Sequence, residues 1–422
     1  MRQKIDRLRN GARGALASSA SIAMLMATAT VYASTADPVL TWIGRVALVV
    51  GGVLLLVRCA TEHHVRHTIG QAGQSSRNAL MLGSSLAVLA LLQPSDEIQL
   101  AVTSFFQFLL LVALALTQRR NVTWSLLTCF AMLTATFVFV IGNGAAILLT
   151  SGEGGLFENP NALGASALAL ALLCWRVCRW LTVSLRSLVA LLLVALAGLV
   201  VYSGARAALA AGAIALLWLM CSRAASERVT RVIFGLVVAA AVSLAPLVVI
   251  FGSEFIDWTT QMDLLGKSVF TGRDEIWPFV ILGILEQPWL GHGAGALPGG
   301  LLLGRLEGLS AHNGFLQLAF QFGVIGVVLF VGFILAVGLT RFAGESKASR
   351  EVTRAILIAA VLHEVFEVML TQNHFGIGFA FWVAAVVSHT PEFVHRKTRT
   401  ARPSQVSLAA HDAFQMPERS QA

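Results

Sequence analysis

Three side chains stand where chemistry on a charged substrate would need them. Arg206 opens an apolar stretch in SGARAALAAG, Arg273 lies beside two acids and a tryptophan in TGRDEIW, and His312 begins HNGFLQLAFQFGVIG. A guanidinium presents a planar fork of donors that matches phosphate oxygens, so two arginines on one face suit a diphosphate. A neutral imidazole can take a proton from a hydroxyl, and a helix start disfavours the imidazolium. Each residue also has a plainer reading: Arg206 snorkels to lipid headgroups, Arg273 pairs with Asp274 or Glu275, and His312 caps a helix. His292, between glycines in LGHGAG, suits a turn or a close ligand approach. Asn161 in GLFENPNALG, Asn313 beside His312, and Glu367 are the supporting candidates. His363, Glu364 and Glu367 fall within one apolar segment, where ionisable groups are expensive. His363 and Glu367 are spaced to pair on one helix face, as an ion pair, a substrate contact or a proton relay. No nucleophile motif is present.

The segments that must carry these residues are hydrophobic. Of 422 residues, 56% are hydrophobic and 12% charged, and the mean hydropathy is +0.76. A soluble domain has about 25% charged residues. Apolar runs of about 20 residues recur, each long enough to cross the hydrocarbon core. Short alternating strands of a β-barrel are missing, so helices must satisfy the backbone in lipid. The expected fold is a single all-α polytopic membrane domain over 1–422. Twelve spans are expected, near 15–33, 41–57, 79–92, 98–116, 124–141, 162–178, 188–202, 206–221, 232–251, 314–339, 355–370 and 376–388. Asn159 and Pro160 suit the cap and first turn of the sixth.

Charge placement orients the spans. With the amino terminus in the cytoplasm, only Arg45, Arg206, Lys267, Arg273 and Arg305 of the 30 basic residues fall outside cytoplasmic segments. That bias follows the positive-inside rule and explains the net charge of +8 without nucleic acid. Both termini are then cytoplasmic, and 252–311 is one large periplasmic loop between spans nine and ten. Its TGRDEIWPFVILGIL run has helical spacing, with Thr271 as a cap. A signal-peptide reading of the start, with cleavage near Ala33, would leave eleven spans. The tail over 389–422 is polar and expected to be disordered. The five cysteines make no disulfide pattern, and no metal site or other cofactor is expected.

Taken together, FENPNALG, SGARAALAAG, TGRDEIW with QPWLGHGAG, and AHNGFLQLAFQFGVIG resemble the O-antigen ligase and polysaccharide polymerase superfamily. The resemblance implies a GT-C-like, metal-independent glycosyltransferase of the bacterial inner membrane. It implies an undecaprenyl-diphosphate-linked glycan as donor and the lipid A core, or another glycan, as acceptor at the periplasmic face. It assigns Arg206 and Arg273 to the diphosphate and the essential loop histidine to His312. A ligase is the first expectation and a polymerase of the same superfamily the second. A secondary transporter or flippase using His363, Glu364 and Glu367 is the reading from another class; it would put its polar groups near mid-membrane.

Overall fold

The computed structural model describes residues 37–61, 74–92, 122–150, 154–157, 159–178, 183–251, 273–298, 310–339, 346–370 and 376–386, with scattered positions between 102 and 110, residue 181 and two short strands. The helices are α1 (Pro38–Thr61), α2 (Gln74–Leu92), α3 (Val122–Thr150), α4 (Pro160–Cys178), α5 (Val183–Tyr202), α6 (Arg206–Cys221), α7 (Glu227–Phe251), α8 (Arg273–Glu286), α9 (Gly314–Leu339), α10 (Lys347–Glu364) and α11 (Gly376–Val386). Strands β1 (Asp263–Leu264) and β2 (Lys267–Ser268) pair antiparallel between α7 and α8. The described residues all belong to one unit, Met1–Ser388. The expected first span, the Thr271 cap and the tail over 389–422 lie outside the described residues; the fourth span is described only at scattered positions.

The helical class agrees with the sequence. Among the described residues, five stretches are long and apolar enough to cross a membrane: Pro38–Val57, Phe130–Leu149, Pro160–Cys178, Leu185–Tyr202 and Gly314–Leu339. Three shorter apolar helices run over Met81–Leu92, Arg206–Cys221 and Ile276–Glu286. Outward faces are apolar, as at Trp42, Leu191, Val194 and Leu217, which suits a lipid surround. The core lies where α4, α9, α10 and α11 meet; α4 packs on α5, α6 and α11, and α10 packs on α6, α7, α9 and α11.

The start of α4 is fixed as its sequence suggests. Asn159 Oδ1 accepts from Asn161 N at 2.9 Å, and Pro160 takes the first helical position. The turn that opens α6 is set by Ser203, whose hydroxyl donates to Val200 O at 2.9 Å and accepts from Ala205 N at 3.3 Å. That turn sits directly on Gly164 of α4, where any side chain would strike Ser203 and Ala205. The FENPNALG and SGARAALAAG motifs are therefore in contact.

Helix α9 is broken at Gly323, whose φ is 64° and ψ −172°. The peptide groups released there are taken up by the turn after α8. His292 N donates to Phe320 O at 2.8 Å and Gly293 N to Gln321 O at 3.0 Å. In return, Val324 N donates to Pro288 O at 2.8 Å and Ile325 N to Trp289 O at 3.4 Å. Gly291, with φ 73°, lies against the Phe320 and Gln321 carbonyls, leaving no room for a side chain. QPWLGHGAG is thus the insert that fills the break in α9, which satisfies backbone groups that lipid could not.

Helix α10 differs from its expected limits of 355–370. It begins at Lys347, capped by Ser346, whose hydroxyl accepts from Ser349 N at 3.3 Å, and it ends at Glu364. Its first turns are polar, so hydropathy passes over them, yet they are buried in a salt-bridge belt. Glu351 Oε1 accepts from Arg354 Nη1 at 2.6 Å and Thr230 Oγ1 at 2.9 Å, and Glu351 Oε2 from Trp218 Nε1 at 3.2 Å. Arg350 pairs with Glu227 at 2.9 Å, and Arg176 of α4 donates to Thr353 at 2.9 Å. At the other end, Glu364 turns both oxygens onto Met369 N and Leu370 N at 3.0–3.2 Å, which ends the helix and folds the chain back. Glu364 lies so close to Gly314 that only glycine fits there.

Candidate functional site

The early end of α10 moves Glu367 off the helix. The expected pairing of His363 with Glu367 on one helix face is therefore not formed. The link between them is a backbone bond, Glu367 N donating to His363 O at 3.0 Å, and the His363 ring is buried near Phe381. Glu367 instead faces three residues brought by three other elements. Its Oε1 accepts from Asn161 Nδ2 of α4 at 2.8 Å and from Arg273 Nη2 of α8 at 3.1 Å. Its Oε2 lies 3.5 Å from His312 Nδ1, just ahead of α9.

Each partner is held by its own local structure. Arg273 is the first residue of α8 and is nearly buried; the same Nη2 also donates to Phe366 O at 2.6 Å. Two turns of α8 pack on α9 through Trp277, whose Nε1 donates to Ala311 O at 2.9 Å, with Ile276, Val280, Leu316 and Phe320 around it. His312 adopts φ 47°, the left-handed region that a non-glycine residue enters only under constraint. The constraint comes from both sides. Ala311 N donates to Gln317 Oε1 at 2.9 Å. Asn313 caps α9, its Oδ1 accepting from Leu316 N at 2.9 Å while its Nδ2 donates to Val365 O at 2.8 Å. Asn313 performs the capping, and the His312 side chain turns to Glu367.

Arg206 begins α6 on the turn seated against α4, half-buried, and its charge acts on Arg273. Burial and the Arg206 charge work to lower the Arg273 value while Glu367 works to raise it, and the outcome is below the usual arginine value. Burial works to raise the Glu367 carboxyl, but the His312 bond and the charges of Arg273 and His312 outweigh it and hold the group below the ordinary 4.5. The cluster therefore combines two guanidiniums, one carboxylate and an imidazole whose side chain is 33% exposed. Such a set can attract an anion and receive a proton at neighbouring points.

His292 is not part of this cluster. Its Nε2 lies 2.8 Å from Gly283 O, and its ring stacks on Phe320 with centroids 4.5 Å apart. Gly283 is ten residues along α8 from Arg273, about 15 Å at the helical rise. His292 belongs to the α9 insert. The sequence offers Asn161 and Glu367 as supporting candidates but does not join Glu367 to Asn161, Arg273 and His312. The signal for Asn161 was weak, since nothing in GLFENPNALG separates a helix start from a site residue.

Residues 191–331 match a family model described as O-antigen ligase. Over this stretch the chain is similar to the O-antigen ligase family. The matched segment takes in Arg206, Arg273, His292, His312 and Asn313, whereas Asn161 and Glu367 lie on either side of it. A search of curated proteins returns no match.

Proposed function

We propose that the protein is an inner-membrane glycosyltransferase that moves a glycan from undecaprenyl diphosphate to the lipid A core at the periplasmic face, without a metal. Twelve spans of a GT-C-like scaffold, both termini in the cytoplasm, would put Arg273 on a periplasmic loop over 252–311 and His312 just past its end. The observation that supports this reading best is that Arg273 and His312, from separate elements of the segment similar to O-antigen ligase, meet on one carboxylate, Glu367.

A sugar diphosphate is already activated, so the enzyme's task is to stabilise the leaving charge and to align an acceptor. Arg273 and Arg206 take the diphosphate oxygens. His312 accepts the acceptor's hydroxyl proton, the acceptor oxygen bonds to the anomeric carbon, and the carbon–oxygen bond to the diphosphate breaks with its electron pair on the diphosphate. Asn313 holds the His312 backbone rather than touching substrate.

The test is transfer in liposomes with purified lipid-linked donor. His312→Ala should abolish turnover, by about a hundredfold or more, while donor binding survives. Normal turnover by a correctly inserted variant would remove His312 from the chemistry. In a deletion strain, a lipid A core without long chains fits a ligase; chains confined to single repeats fit a polymerase instead.

A further inference from the structure

The two oxygens of Glu367 are unequally engaged. Oε1 is occupied by Asn161 and Arg273 at 2.8 and 3.1 Å, whereas Oε2 reaches His312 only at 3.5 Å. The carboxylate is buried, 6% exposed, while the His312 side chain beside its Oε2 is 33% exposed. We propose that Glu367 is a positioning residue that holds the place of a diphosphate oxygen on Arg273 and is released onto His312 when the donor binds. This rests on the reading of Arg273 as a diphosphate group.

A diphosphate carries more charge than a carboxylate and offers more oxygens to the guanidinium fork, so it displaces Glu367 from Arg273. The carboxylate then keeps Asn161 and closes on His312. A carboxylate at Nδ1 fixes the imidazole with its proton on that nitrogen, leaving the Nε2 lone pair for the acceptor hydroxyl. The proton then passes from the acceptor oxygen to Nε2 as that oxygen bonds to the anomeric carbon and the diphosphate departs with the electron pair. Loading of the donor thereby orients the base, and an empty site holds its base loosely. The charged and titratable groups around Glu367 are Arg273 of α8, His312 ahead of α9, and His363 and Glu364 of α10, with Arg206 of α6 acting through Arg273.

The test uses the full-length protein in detergent, with inorganic pyrophosphate as the probe. Glu367→Gln keeps an acceptor for Asn161 but removes the charge that competes for Arg273. Pyrophosphate should bind about tenfold more tightly to the variant, a gain set by the lost competitor. Transfer should show kcat falling about ten- to a hundredfold with no rise in donor KM. Glu367→Asp, one methylene short of bridging both partners, should give the same split to a smaller degree and serves if the glutamine variant does not insert. Pyrophosphate binding that is unchanged or weaker, or unchanged turnover per folded molecule, would reduce Glu367 to a brace and overturn the proposal. Tighter pyrophosphate binding by a protein that transfers no glycan would uphold the competition at Arg273 and overturn the glycosyltransferase reading instead.

Discussion

A buried arginine that binds substrate is also a counter-ion, and the two roles can be separated. Arg273→Ala leaves Glu367 buried beside Asn161 and His312 without its guanidinium partner. Breaking a buried pair from one side costs about 3–5 kcal/mol. The single variant should therefore lose both stability and transfer. Arg273→Ala combined with Glu367→Gln should recover most of the melting temperature and none of the transfer, read by a double-mutant cycle. Arg273→Lys keeps the charge and loses the fork, so it should stay folded with only part of the activity. The carboxylate makes a pH prediction as well. Its folded value lies below the ordinary 4.5, so its contribution is present above about that pH and is lost as pH falls through the lower folded value. Melting temperatures taken from about pH 6 to about pH 3 should fall in the wild type and be flatter in Glu367→Gln. At this scale Arg273 and His312 could be read from the sequence because polar residues stand out against apolar flanks. Their shared partner could not, since Glu367 lies 55 residues from His312 and 94 from Arg273, with no local pattern joining them.

Elements were legible where hydropathy and turn chemistry agree and illegible where polar groups are buried. The limits of α6 and α9, and the Asn159-Pro160 start of α4, follow from their residues alone. The start of α10 does not, because Lys347, Arg350, Glu351 and Arg354 read as solvated charge while the fold buries Glu351 and Arg354 and half-buries the other two in a belt linking α6, α7 and α10. The break in α9 is also hidden, since AFQFGVIG reads as unbroken helix and only the neighbouring turn shows where the carbonyls go. This arrangement predicts an effect at Gly323. A left-handed backbone costs a residue with a side chain about 1–2 kcal/mol, and a methyl group at Gly323 would also strike the Trp289 backbone. Gly323→Ala should lower the melting temperature in detergent and open the 287–296 turn to proteolysis. Gly198→Ala, at an open position in α5, should do neither.

Helix α10 links the two polar regions of the molecule. Its first two turns hold the salt-bridge belt, and the chain just past its last residue carries Glu367. Eighteen residues of helix cover about 27 Å, close to the thickness of a hydrocarbon core of about 30 Å. The belt also holds the turn between α6 and α7, where Lys347 Nζ donates to Ala225 O at 2.5 Å. Arg223, Arg228 and Arg231 flank that turn, which the positive-inside rule assigns to the cytoplasm. The Arg273, His312 and Glu367 cluster at the other end of α10 would then face the periplasm, where a lipid-linked donor is presented. This two-ended arrangement is tested in a cysteine-free background. Cys221, exposed at the belt end of α6, is restored alone, and a cysteine is placed alone at Gly308 in the loop over 252–311. An impermeant thiol reagent should label Gly308→Cys in intact spheroplasts and reach Cys221 only after the membrane is breached. The reverse pattern would invert the protein. It would put the candidate site in the cytoplasm, where a periplasmic acceptor could not meet it, and the proposed transfer to the lipid A core would fail with the topology.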